Sequence, residues 1–177
     1  MGKEPPVFVK LIFLSTVVGL SAIFFQRVWT TEKIIPSQYL KSSRTWELAA
    51  KCCALSTVIM FLNILVIMMC RLFTAAGDTV RGTESVFLIT SKKILQNTLE
   101  ENFLFIINLL AAHANGLDNE RLVLVTLVYI GARAIFTVGY YLGVFLNIPP
   151  LRAPGFALTF INNAILFYFN IKTLIKV

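Results

Sequence analysis

The sequence predicts an all-α, polytopic membrane protein. Three observations carry this. Apolar residues make up 57% of the chain and charged residues only 14%, against about 45–50% and about 25% in a soluble domain. The apolar residues fall into long runs, of which Cys52 to Cys70 contains no charge at all. The amides and charges that interrupt the later runs recur every three or four residues, the spacing that shares a helix face.

The first predicted span runs from Val7 to Phe25, with Lys10 near its start. It reads as an uncleaved helix, because Gln26-Arg27-Val28-Trp29 offers no small-residue cleavage site. Ser15 and Gly19 form a small-xxx-small pair on it. A polar loop, residues 26–48, carries Trp29 and Trp46 near its ends, where interfacial aromatics belong. Cys52 to Cys70 is the second span, and residues 71–93 form a second loop in which Val86 to Thr90 is too short to cross. The third span is Ile94 to Ala114. Hydropathy alone marks only Phe103 to Ala112; phased polar residues extend the helix backward. Asn115-Gly116-Leu117-Asp118 is a tight turn. The fourth span, Leu122 to Leu146, stops at Pro149-Pro150, and the fifth is Gly155 to Ile171, closed by Lys172 and Lys176. The division is an N-terminal helix with its loop, 1–48, and a four-helix membrane domain, 49–177.

The net charge of +7 is dispersed over short segments between apolar runs, where basic residues meet anionic headgroups. It does not mark a nucleic-acid surface. The two long loops carry similar basic counts on opposite faces, so the positive-inside rule leaves the orientation open. Cys52, Cys53 and Cys70 fit neither a zinc site nor a disulfide framework. They read as small helical residues, with palmitoylation of Cys70 beside Arg71 as the alternative. His113 is the only histidine, and it suits a capping or interfacial role. No metal site is expected.

The polar residues define an inward seam. Lys93, Asn97, Glu100, Glu101 and Asn108 mark the third span. Thr126, Tyr129, Arg133, Thr137 and Tyr140 mark the fourth, and Thr159, Asn162, Asn163 and Asn170 the fifth. Ser56, Asn63 and Cys70 mark the second. Each costs free energy in hydrocarbon unless it finds a partner, so four stripes imply a bundle with its polar side inward. An Arg at a helix centre costs about 2.5–3.5 kcal/mol. One carboxylate near 4 Å returns about 4 kcal/mol at an effective dielectric of 20. Arg133 is therefore expected to pair with Glu100 or Glu101. Ionisable groups within a span point to function, while the amides alone would serve as helix glue.

Lys93-Ile-Leu-Gln-Asn97-Thr-Leu-Glu100, then Arg133-Ala-Ile-Phe136-Thr-Val-Gly139-Tyr140, then Leu151-Arg152-Ala-Pro-Gly155-Phe156 resemble the MAPEG superfamily, membrane-associated proteins in eicosanoid and glutathione metabolism. The similarity covers roughly residues 50–171. The five-span layout resembles its divergent mattrin-type members. The resemblance implies a four-helix bundle assembled as a homotrimer among membrane lipids, with glutathione held between subunits by Lys93, Asn97, Glu100, Glu101, Arg133 and Tyr140. It also implies an endoplasmic reticulum or other endomembrane location, with the N-terminus cytoplasmic. Catalytic members carry a thiol-activating Arg shortly after the Gly-Tyr pair. Here Asn147 or Phe156 falls at that place, and Arg152 is the basic residue nearby. The resemblance therefore implies weak or absent catalysis and a role in membrane-protein or lipid trafficking. The alternative is an active glutathione transferase or peroxidase acting on lipophilic electrophiles. A channel or transporter fits less well, since no inverted repeat is evident and the seam mixes both charge signs.

Overall fold

The computed structural model describes residues 45–73 and 84–175, with positions 15–17, 19, 20, 23, 26 and 27 besides. The expected span Val7 to Phe25 lies largely outside the described residues. Among the residues described from Thr45 onward, five α-helices follow in order: α1 (Thr45–Ser56), α2 (Val58–Phe73), α3 (Val86–Ala114), α4 (Asn119–Phe145) and α5 (Ala153–Ile175), with a 3-10 turn, Pro149–Arg152, before α5. Helices α1 and α2 are one membrane crossing with a break at Thr57. Trp46–Phe73, Asn119–Phe145 and Pro149–Ile175 are each long and apolar enough to span. At 1.5 Å per residue each reaches about 40 Å, enough for hydrocarbon plus interfaces. Helix α3 has the length but is too polar to qualify by composition, and it packs against α2, α4 and α5.

The second loop is shorter than the sequence suggests. Val86 to Thr90 forms the first turns of α3, where Ser85 accepts a hydrogen bond from the Leu88 N–H at 3.2 Å. The apolar fragment judged too short to span is the start of the polar third helix. Hydropathy dips at residues 92–101, so the two halves look separate when only apolarity is scanned. The break at Thr57 has a local cause. Thr57 Oγ1 and Ser56 Oγ donate to the carbonyls of Ala54 and Cys53, each at 2.7 Å. Such back-bonding bends a helix.

The turn between α3 and α4 is fixed by two caps. Gly116 has φ +87°, its N–H donates to His113 O at 3.1 Å, and Leu117 N–H donates to Ala112 O at 2.9 Å. This is a Schellman closure, with Leu117 folded back into the core beside Ala112. Asp118 then accepts from the Arg121 N–H at 2.8 Å and starts α4. Gly116→Ala is expected to cost about 1–2 kcal/mol, the penalty for a Cβ in the left-handed region. A lowered thermal midpoint in detergent would register it. Helix α4 ends in the same way, with Asn147 at φ 55° and Ile148 N–H on Gly143 O at 2.8 Å.

The closest helix contacts are made by glycines. A Cβ on Gly155 would overlap the backbone N of Phe136 and lie 2.7 Å from Ala132 O, while one on Gly139 would overlap Leu151 O. Helix α5 and the turn before it therefore sit directly on the backbone of α4. That contact sets the height of the α5 amides against Tyr129 and Arg133. The outer surface is apolar, with Phe103 65% and Phe61 58% exposed, as contact with lipid tails requires.

Candidate functional site

Arg133 sits at the middle of α4 and has no exposed surface. Its Nη2 donates to Thr98 Oγ1 at 2.6 Å and to Asn97 Oδ1 at 3.1 Å, both on α3. Its guanidinium carbon lies 4.2 Å from the centroid of the Phe136 ring, one turn along its own helix. Phe136 in turn meets the Tyr140 ring edge-on at 5.7 Å. The guanidinium of Arg152 covers Tyr140 at 4.8 Å. A ladder of cation–π and aromatic contacts thus runs from the buried Arg133 to the exposed Arg152, through the half-buried Tyr140. Each cation–π contact contributes about 0.5–2 kcal/mol, more when desolvated.

The expected pair between Arg133 and an acid does not form as a direct contact. Among the described residues, no carboxylate oxygen lies within 4.0 Å of the guanidinium. Glu100 is exposed and accepts from Gln96 at 3.2 Å. Glu101 is half-buried and accepts from Asn163 Nδ2, on α5, at 2.8 Å. Arg133 takes neutral partners instead, because Thr98 and Asn97 are the α3 groups at its own height in the bundle.

The α3 polar residues divide. Thr98 and Asn102 are buried; Asn97, Glu101 and Asn108 flank that face, half-buried; Lys93 and Glu100 point outward. The inward pair was the signal the sequence held without being read: Ser91, Ile94, Thr98, Asn102 and Phe105 step by three or four and are all buried. On α4, Thr126, Tyr129 and Arg133 are buried, and Thr137 and Tyr140 half-buried. On α5, Thr159, Asn162 and Asn163 are buried, and so are Ser56 and Asn63 on the crossing made by α1 and α2. Those stripes face inward as expected. Asn170 closes the far end, donating to Asn108 O at 3.0 Å and accepting from Asn115 at 3.1 Å. His113 meets Trp46 edge to face at 4.8 Å, an interfacial arrangement.

Of the residues that could meet a ligand at the bundle surface, Lys93, Glu100 and Arg152 are exposed, while Asn97, Glu101 and Tyr140 are half-buried. Arg133 reaches that surface through Asn97. Asn147 and Phe156, at the place of a thiol-activating cation, are both exposed and uncharged. Among the described residues no three His, Cys, Asp or Glu side chains group in a way that could hold a metal.

A helical membrane bundle with an amide-rich interior, a buried central arginine and a lysine and glutamate on the outer face of its most polar helix defines the class. The MAPEG family model matches residues 49–172, more than two-thirds of the chain, and the protein belongs to the MAPEG family. Comparison with curated proteins and with solved structures returned no match.

Proposed function

We propose that this MAPEG protein is a membrane-embedded binder of an anionic, peptide-like ligand of the glutathione type, with weak or no catalytic turnover. The observation that carries the reading is the outer face of α3. Lys93, Gln96 and Glu100 are exposed on a helix whose other exposed residues, such as Leu99 and Phe103, suit lipid. Charges there are costly against acyl chains, and a neighbouring copy in a homotrimer would cover them and enclose a polar ligand. Lys93 would meet a carboxylate of the ligand, Glu100 its amine, and Asn97, Glu101 and Tyr140 its amides. Arg133 would support the set from behind by holding Asn97. Weak catalysis follows from the thiol. A free thiol near pKa 8.5 is mostly protonated at neutral pH unless a cation or base activates it, and Asn147 and Phe156 supply neither. A role in membrane-protein or lipid trafficking rests on the resemblance to mattrin-type members, as does an endomembrane location with a cytoplasmic N-terminus.

Calorimetric titration of the detergent-purified protein with glutathione is expected to show saturable binding. Lys93→Gln should weaken it about tenfold, the loss of about 1.4 kcal/mol. A titration without saturation would remove the ligand site. The second reading, an active transferase, draws on the Arg152–Tyr140 contact, which brings a guanidinium against a tyrosine of the same face. With glutathione and a generic electrophile, turnover is expected to stay near the uncatalysed rate. A clear rate that Arg152→Ala abolishes would favour the enzyme.

A further inference from the structure

The interior of the single bundle holds polar atoms that its own hydrogen bonds do not satisfy. Arg133 Nε and Nη1, the Tyr129 hydroxyl, and Oδ1 of Asn102, Asn162 and Asn163 are buried without a partner. Two of these assignments are fixed by the other half of the amide. Asn163 Nδ2 is spent on Glu101 and Asn162 Nδ2 on Val125 O at 3.2 Å, so each leaves an oxygen as an unmet acceptor. The groups occupy neighbouring layers. Tyr129 stacks on Phe105 at 4.1 Å, one turn below the Glu101–Asn163 link, and Arg133 lies one turn above Tyr129 on the same stripe.

We propose that Arg133 and Glu101 form a water-bridged ion pair inside each subunit, with the Tyr129 hydroxyl and the Asn162 and Asn163 oxygens completing the hydrogen bonds of the trapped water. One argument favours water over other occupants, and two favour Glu101 as the counter-charge. The unmet atoms include both donors (Arg133, Tyr129) and acceptors (the asparagine oxygens). An anion satisfies only donors, a metal cation only acceptors, and an acyl chain neither; water does both, and buried water makes about three such bonds. The charge of Arg133 has only neutral groups in contact, so a counter-charge at one remove is required for a cation with no exposed surface. Glu101 lies one helical turn along α3 from Thr98, the partner of Arg133, and its bond to Asn163 holds the carboxylate between α3 and α5. This site lies behind the outer face carrying Lys93 and Glu100 and shares Glu101 with the proposed ligand set, but it needs no second copy of the chain, and its test reads stability and internal water rather than ligand binding.

Hydroxyl-radical footprinting of the intact protein in detergent tests the water, because radicals formed from buried water oxidise the side chains beside it. Tyr129, wholly enclosed, is expected to oxidise within about threefold of the half-buried Tyr140 on the same helix, as ordered buried water requires. A Tyr129 rate more than about tenfold below that of Tyr140 would mean a dry interior and overturn the proposal. A double-mutant cycle tests the pair. Glu101→Gln and Arg133→Met together are expected to change the unfolding constant about tenfold less than the product of the single effects, and multiplicative single effects would overturn it. Should Arg133→Met fail to fold, the footprint of the unaltered chain still decides.

Discussion

Gly155→Ala is expected to abolish or severely destabilise the folded bundle, while Gly131→Ala is expected to leave it unchanged or slightly more stable. Both glycines lie in helices, so the difference is entirely one of packing. At Gly155 the added methyl would enter space held by the backbone of Phe136 and Ala132. Side chains can rotate away from a new methyl; a helix backbone can yield only by moving as a unit. Overpacking a core costs about 1–3 kcal/mol when side chains give way, and here the cost should lie at or above the upper end. Parting α4 from α5 would also stretch the Asn162–Val125 hydrogen bond. At Gly131 a Cβ meets nothing within 4 Å, and replacing a mid-helix glycine by alanine returns about 0.5–1 kcal/mol. Thermal unfolding of the two variants in the same detergent measures the contrast. Equal midpoints would mean that α5 does not depend on the close approach. Gly139→Ala, whose methyl would overlap the Leu151 carbonyl, should resemble Gly155→Ala.

The sequence made the bundle legible because a membrane punishes misplaced polarity. Thr126, Tyr129 and Arg133 on α4, and Thr159, Asn162 and Asn163 on α5, face inward as their spacing requires. Helix α3 was legible only in part. Its polar residues occupy more than one face, so the stripe that includes Lys93 and Glu100 could be drawn as easily as the one through Thr98 and Asn102. The charged residues mark the outer stripe more strongly than amides and hydroxyls mark the inner one, so charge alone points to the exposed face. The start of α3 was missed for a related reason: Lys92 and Lys93 interrupt the apolar run, although Ser85 was available as its cap. The partner of Arg133 was not legible at all. Spacing along α3 says which residues share a face, but the height at which α4 passes them is set by the turn at Gly116 that joins the two helices. That height places the guanidinium beside Asn97 and Thr98, a turn short of Glu101.

Arg133→Lys is expected to destabilise the protein at least as much as the uncharged Arg133→Met. The intuition that conserving the charge conserves the role fails because the guanidinium does three things at once. One nitrogen donates to both Thr98 and Asn97, the flat face lies on Phe136, and the remaining nitrogens stay available on the inner side. An ammonium is a compact, strongly hydrated point charge that cannot stack and donate in a fork. The lysine variant would lose the cation–π contact, about 2 kcal/mol when desolvated, and a charge-assisted hydrogen bond, about 1.5–3 kcal/mol. It would keep the full cost of burying a cation. Methionine removes that cost and fills most of the stem volume. It leaves Asn97 Oδ1 and Thr98 Oγ1 without a donor, at about 1–3 kcal/mol each. The expected losses are then about 3.5–5 kcal/mol for lysine and about 2–6 kcal/mol for methionine, the latter reduced by the cation-burial cost that methionine removes. Unfolding of both variants in mixed micelles measures the order. A lysine variant close to the unaltered protein would show that net positive charge alone is needed at the centre of α4. The expected order, with lysine no more stable than methionine, would identify the planar fork, held between α3 and the Phe136 ring, as what keeps a cation in the middle of the bundle.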